Sequence, residues 1–315
     1  ESALTGELDW RRGAVRPHLT GRLDFEPLRA ADIAGVVGAG PDDPALTRGR
    51  GPLPEVRFDA RQLYSFDADL RLRARAVVLP RAPVTGVDGR LRIDAGRLRL
   101  APLRLEVAAG RAEGSFMLDG RERPPRASLR LDLSRLRLAP FFRGSRFVEA
   151  MGGRFGGKVD LTGTGASVDA LLAAAAGTAR LRMDGGTLGG LAVEALGLDL
   201  VEALALALGP DTRVPIRCAE VRVQVRSGEA RLERAVADTR DSVIRAAGGV
   251  DLARERLDLE LRAAAKDPSL VDATAPIRVR GPFLAPDVTV GALEGLPLFE
   301  TGDAPAVDCG PAVGE

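Results

Sequence analysis

Ala68-Asp69-Leu70-Arg71-Leu72-Arg73-Ala74-Arg75-Ala76-Val77-Val78 is the stretch that decides the fold. Its even positions are apolar, and its odd positions include Asp69, Arg71, Arg73 and Arg75. A period of two puts the aliphatic side chains on one face of a strand and the charges on the other. The same alternation recurs at Arg90–Ile93, Arg97–Leu100, Leu103–Val107, Leu129–Leu133 and Leu136–Leu138. It returns at Ala179–Met183, Val221–Val225, Leu257–Leu261 and Ile277–Val279. Each segment reads as a half-buried strand.

Turn residues separate these strands. Asp94-Ala95-Gly96, Asp119-Gly120, Asp184-Gly185-Gly186 and Ser227-Gly228 read as tight hairpin turns, because glycine accepts the positive φ such turns need. Arg92–Asp119 and Val223–Asp251 share one order of strand, turn, strand and Gly-bounded strand, a repeat of grammar and not of letters. Helices are few. Short ones are expected at Pro27–Val37, Pro140–Met151, Ser167–Ala176 and Leu191–Leu208. Ser167 would cap the third, with Asp169 in its first turn and Gly177 as its stop. The Pro/Gly/Asp-rich stretch Gly38–Pro54 reads as a linker.

Composition narrows the function. The chain has 315 residues, with 45 Lys+Arg against 44 Asp+Glu. Its only lysines are Lys158 and Lys266, so 43 of the basic residues are arginine. A net charge of +1 argues against nucleic acid as partner, since phosphate binding needs a basic surplus. The lone His18 leaves no histidine-based metal cluster and makes a Ser-His-Asp triad a poor reading. No Gly-x-Ser-x-Gly, His-Glu-x-x-His or Gly-Lys-Ser/Thr motif occurs, so no catalytic residue, metal ligand or cofactor is assigned. Val159–Ser167 has a Gly163-x-Gly165 turn before a helix start. It lacks the glycine or alanine expected at Val168, and reads as a tight turn into a capped helix. Glu194, Asp199 and Glu202 interrupt Leu191–Leu208, which excludes it as a membrane span. The chain begins at Glu1 and reads as a mature or trimmed piece of something longer. Cys218 and Cys309 could form a disulfide in an oxidising compartment, or remain two thiols, one buried and one in the tail.

The aliphatic faces have two readings. They could fill an ordinary sandwich core. Alternatively, part of the face stays open and receives an apolar ligand. Aromatics are 4% of the chain, so the face is almost wholly Leu, Val, Ile and Ala. Such a surface lacks the polar anchors of a small-molecule pocket and suits acyl chains.

Phe155-Gly156-Gly157-Lys158-Val159-Asp160-Leu161-Thr162-Gly163-Thr164-Gly165-Ala166-Ser167, then Leu181-Arg182-Met183-Asp184-Gly185-Gly186, resemble the C-terminal region of the AsmA family. So do Leu196–Asp199, Ile216-Arg217-Cys218, Asp238-Thr239, Lys266–Ser269, Pro276–Phe283, Pro286 and Asp308-Cys309. The run Gly249-Val250-Asp251-Leu252-Ala253-Arg254-Glu255-Arg256-Leu257-Asp258-Leu259 is the most telling. Gly21–Asp24 and Ala31–Ile33 fit more loosely, and the resemblance is closest from Gly152 to Pro286. It implies a non-catalytic, bridge-like repeating β-groove. It further implies a periplasmic location, an inner-membrane anchor outside this fragment, and a role in phospholipid movement and outer-membrane biogenesis.

The expected fold is therefore mainly β: an elongated, twisted antiparallel sheet curled into a groove, with short helices at edges or ends. About 16 strands spaced ~4.8 Å apart would make a wall on the order of 75 Å long. Residues 1–54 would hold N-terminal strands, a short helix and the linker; residues 55–290 the groove; and residues 291–315 a poorly ordered tail. The expected lipid-facing residues are Leu70, Leu72, Leu91, Ile93, Leu129, Leu131, Leu133, Leu181, Val221, Val223, Val225, Leu257, Leu259 and Leu261. The expected ligand is a phospholipid or another acyl-chain lipid. The alternative is an assembly scaffold that contacts outer-membrane assembly factors through a filled sheet.

Overall fold

A chain with an apolar residue at every second position can bury one face of each strand, and β-structure is what the described residues form. The computed structural model describes residues 3–29, 59–78, 84–142, 151–188, 214–240, 242–266, 276–283, 286–290, 305–307 and 309. The strands are β1 (Ala3–Arg11), β2 (His18–Glu26), β3 (Leu28–Arg29), β4 (Asp67–Ala74), β5 (Val77–Val78), β6 (Val84–Asp94), β7 (Arg97–Val107), β8 (Gly110–Asp119) and β9 (Arg126–Arg137). They continue as β10 (Met151–Thr164), β11 (Ala176–Leu188), β12 (Val214–Arg226), β13 (Glu229–Thr239), β14 (Ser242–Asp251), β15 (Arg256–Ala265), β16 (Ile277–Pro282) and β17 (Asp287–Val290). Fifteen of them follow sequence order in one hydrogen-bonded sheet, from which only β3 and β5 are absent. The chain also divides into two compact units. One comprises Glu1–Ser134, Lys158–Thr178 and Val225–Gly228, and the other comprises the rest.

The sheet is mixed, not wholly antiparallel. β2 and β4 pair in parallel, His18 beside Asp67 through Phe25 beside Ala74, and the short β3 and β5 are also parallel. A two-residue hairpin can join only antiparallel neighbours; the long connection from β2 to β4 carries the chain back to start again at the same end. Elsewhere the expected turns account for the antiparallel order. Ala95 and Gly96 both have positive φ between β6 and β7, as do Ser227 and Gly228 between β12 and β13, the geometry of a two-residue primed turn. Asp119-Gly120 instead opens a longer connection to β9. Asp184-Gly185-Gly186 is no turn at all. β11 continues through it, with Gly185 at a φ of +74° that favours glycine.

Arg97–Leu100 and Leu103–Val107 are one strand. Leu100 faces Phe116 and Leu103 faces Gly114, so β7 spends one residue more than β8 around Ala101-Pro102. That bulge returns the apolar positions to one face although their parity changes from even (98, 100) to odd (103, 105, 107).

One of the expected helices is present among the described residues, in shortened form. Helix α1 (Val168–Ala173) is capped by Ser167, whose Oγ accepts from the Ala170 amide at 3.3 Å, and Asp169 lies in its first turn. It stops before Gly177, which is already in β11; a Cβ there would overlap the Asp160 carbonyl oxygen. The expected Gly163-x-Gly165 turn is shorter than its motif: Gly163 and Thr164 still belong to β10, and the link to α1 starts at Gly165, whose amide donates to Pro125 O at 2.9 Å. Most of the expected helix Pro140–Met151 falls on residues 143–150, outside the described set; at its ends Ala139–Phe142 form a 3-10 turn and Met151 already belongs to β10. Pro27–Val37 begins as strand β3, where the Leu28 amide finds its acceptor on Ala76 at 2.8 Å; residues 30–37 are not described. The expected helix at Leu191–Leu208 and the linker Gly38–Pro54 also lie outside the described residues. One 3-10 helix (Ala60–Tyr64) has no counterpart in the expectations. Asp59 caps it by accepting from the Arg61 amide at 3.0 Å.

Candidate functional site: the aliphatic sheet face

In the first unit, strand register builds continuous rows of apolar partners. One row runs Trp10, Leu19, Ala68, Ile93, Leu98, Leu118 and Ala127. Beside it run Leu8, Gly21, Leu70, Leu91, Leu100, Phe116 and Leu129. A third row is Gly6, Leu23, Leu72, Gly89, Leu103, Gly114 and Leu131, and a fourth ends on Leu105, Ala112 and Leu133. No charged residue interrupts the first three rows.

From Ala68 to Ala127 the first row is not an open surface. Leu63 of the 3-10 helix, only 1% exposed, packs into a core with Ala68, Leu70, Leu91, Ile93, Leu98, Leu118 and Ala127. Leu171 of α1 packs against the same cluster. Each leucine closed away in this manner contributes roughly 1.5–3 kcal/mol. Leu70, Leu91 and Ile93, expected to face lipid, are therefore filled core, because a helical segment absent from the strand grammar covers them. Val225, at the end of β12, is buried as well. The remaining ten expected residues differ. Leu72, Leu129, Leu131, Leu133, Leu181, Val221, Val223, Leu257, Leu259 and Leu261 are all only half-buried.

In the second unit the same logic holds on β14 to β16. Leu257 lies between Val250 and Gly281, Leu259 between Gly248 and Val279, and Leu261 between Ala246 and Ile277. Val250 is in turn beside Ala230.

The opposite face is a lattice of ion pairs, which explains the balance of arginine against acid. Arg90 forks onto Asp69 at 2.5 and 2.6 Å, and Arg92 reaches the same carboxylate at 3.3 Å. Arg97 and Arg121 both bind Asp119, and Arg130 meets Asp160 at 3.1 Å. In the second unit Arg222 and Arg234 share Glu220, Arg262 and Arg278 share Glu260, and Arg280 meets Asp258. The hydrogen bond from Arg90 holds the Asp69 carboxyl below the usual carboxylate range, and that from Arg262 does the same for Glu260. A carboxyl depressed on folding contributes stability above its unfolded pKa and loses it as pH falls through the folded value. Wild type should therefore unfold more easily as the pH falls below about 5 and through the lowered folded-state pKa of Asp69, and its advantage over Asp69→Asn should vanish over that fall. Urea midpoints measured at several pH values would check this; an advantage independent of pH would remove Asp69 from the account.

Cys218 and Cys309 form a disulfide, with Cα atoms 6.2 Å apart. The pair lies on the second unit, where Arg182 Nη1 also donates to Cys309 O at 2.6 Å and Cys218 Sγ lies 3.8 Å from Val307 O. Cys309 is 4% exposed, so the tail is held against the unit at that residue; the rest of 291–315, apart from 305–307, is outside the described set. His18 is exposed at the start of β2. Among the described residues no group of three or more His, Cys, Asp or Glu could hold a metal ion. Among them, too, no helix is long and apolar enough to cross a membrane.

Sequence reasoning missed three features: the covering role of Leu63, the bulge in β7, and the buried partnership of Asp238 with Lys266. Only the bulge had a readable signal, the change of parity between Leu100 and Leu103.

Comparison with known proteins places these features in a wider group. A model of the AsmA family matches residues 14–235. The chain is 26% identical over 307 residues to the AsmA family protein YhjG of Escherichia coli (strain K12), covering 93% of this chain and 45% of that protein. The chain thus spans less than half the length of that relative. No solved structure matches.

Proposed function

The chain belongs to the AsmA family, and from that premise we propose that its half-buried aliphatic face binds acyl chains of phospholipid or a similar lipid. The observation that carries this reading is the exposure of Leu72, Leu129, Leu131 and Leu133 in the first unit and of Leu257, Leu259 and Leu261 in the second. They lie in apolar rows but keep part of their surface uncovered among the described residues. Such side chains lose contact energy that a hydrocarbon guest restores, at about 0.8 kcal/mol for each buried CH₂. With no polar anchor along the rows, an acyl chain meets a smooth wall on which it slides, while its head group stays in water.

The wider reading is that this is the periplasmic part of a non-catalytic protein, anchored to the inner membrane by a segment outside these residues. It would serve lipid transport and outer-membrane biogenesis. Family membership supports that direction.

Photocrosslinking groups at Leu131 and Leu259 test the reading. Lipid adducts are expected. Protein adducts would favour an assembly scaffold, and no adduct at either position would favour a closed core. Leu131→Asp should abolish lipid binding with little loss of fold, because Leu131 is half-buried on the apolar side. Arg130→Asp, on an exposed ion pair with Asp160, should change lipid binding little. Equal effects at the two positions would sink the register.

A further inference from the structure

The tip between β1 and β2 carries an unusual combination of side chains. Trp10, the only tryptophan of the chain, is 61% exposed, and Val15 is 86% exposed. Between and beside them stand Arg11, Arg12 and Arg16. The tip is built, not loose. Gly13 sits so close to Arg16 that a Cβ would overlap its carbonyl oxygen. The Pro17 carbonyl accepts from the Asp67 amide at 2.9 Å, tying the descending arm to β4. Arg16 lies 3.9 Å from Asp67, and Arg11 is paired with Asp9 at 2.8 Å. Arg12 has no acidic partner among the described residues, and Asp9 is the only acid from residue 9 to residue 18. The hairpin thus presents an aromatic ring, a branched aliphatic side chain and an uncompensated guanidinium to solvent.

We propose that this hairpin tip docks on a bilayer surface carrying anionic phospholipid head groups. Tryptophan is favoured where an apolar medium meets water, and its indole N–H keeps a polar contact there. Val15 enters the acyl boundary beside it, and Arg12 meets phosphate oxygens, an attraction that an anionic leaflet strengthens. Charge chooses this occupant. A neutral protein patch would leave Arg12 unpaired, whereas an anionic membrane satisfies the cation and the apolar side chains at once. Trp10 ends the apolar row that Leu63 closes, and none of the half-buried leucines on which the acyl-binding reading stands belongs to the tip, so the two readings rest on different residues.

The single tryptophan makes the test direct. Emission of the purified chain is followed during titration with vesicles of phosphatidylglycerol and with vesicles of phosphatidylcholine. A saturable blue shift is expected with the anionic vesicles and little with the zwitterionic ones, and it should weaken with salt. Arg12→Glu and Val15→Asp should each weaken vesicle binding by about tenfold or more. Both residues are exposed, so these variants should keep the wild-type circular dichroism. Leu131→Asp should leave the vesicle response intact, which separates surface docking from acyl binding on the sheet face. No shift with anionic vesicles overturns the proposal. So does an equal shift with both lipids, or a response lost in Leu131→Asp but kept in Val15→Asp. A shift that appears with rising protein concentration and no lipid would make the tip an interface between copies, and would also overturn it.

Discussion

Replacing Lys266 with methionine is expected to lower stability by about 3–5 kcal/mol, the usual cost of breaking a buried ion pair from one side. Asp238 is fully buried, with Lys266 and Arg217 as the cations that reach its carboxylate. Lys266 is itself 14% exposed, and its Nζ also donates to Thr239 O at 2.6 Å. Thr239, fully buried too, accepts at Oγ1 from the Ser242 amide at 2.9 Å, which closes the turn between β13 and β14. Lysine 266 therefore neutralises a carboxylate and satisfies a carbonyl in one place. Arg217, 56% exposed on its side chain and 3.4 Å away, lies too far into solvent to take over both tasks. The double substitution Asp238→Asn with Lys266→Met should cost less than the sum of the singles, because it removes the stranded charge. Urea unfolding of the four proteins measures this coupling. If Lys266→Met unfolds at the wild-type midpoint, the cluster is ornamental and the argument fails.

Reduction of Cys218–Cys309 should produce the second large loss, about 2–4 kcal/mol, since the bridge closes a loop of 91 residues in sequence. The bond restricts the unfolded chain, and in the folded chain it holds Cys309 against the second unit beside Arg182. Without it, the segment around Val307 has lost its covalent tether and should become sensitive to protease. Comparing the unfolding midpoint with and without reductant, together with proteolysis of the C-terminal segment, reads both consequences. The double variant Cys218→Ala with Cys309→Ala should behave like the reduced protein. An unchanged midpoint on reduction would show that the tail contributes nothing to the fold.

These two sites show where reading the sequence stops. Cys218 and Cys309 could be recognised as a candidate pair, but two thiols 91 positions apart do not announce their distance in space. Asp238 and Lys266 enter the sequence reading only as residues that carry the family resemblance, which puts neither beside the other. Val236 and Asp238 fall on the charged face only because β13 carries an extra residue between Arg231 and Val236. Local alternation cannot foresee such a shift from composition alone. The strands themselves were legible, because period-two patterning is a local property and survives whatever the neighbours do. Helix boundaries were less so: Ala176 and Met151, expected as the last residues of helices, belong to strands β11 and β10 instead.

Alternation by itself determined that the chain is a β-protein with one aliphatic and one charged face per strand. That the charged residues of those faces pair with one another emerged only in the structure, where Arg90 binds Asp69 and Arg97 binds Asp119. Only the tertiary structure decided which part of the aliphatic face is covered. Leu63 comes from a short turn of 3-10 helix that strand periodicity does not register, and it closes the row of Ala68, Ile93 and Leu98 while Leu129, Leu131 and Leu133 stay half-exposed. The reason is physical. Which face a side chain takes follows from its own backbone, whereas burial depends on which distant segment comes to lie upon it.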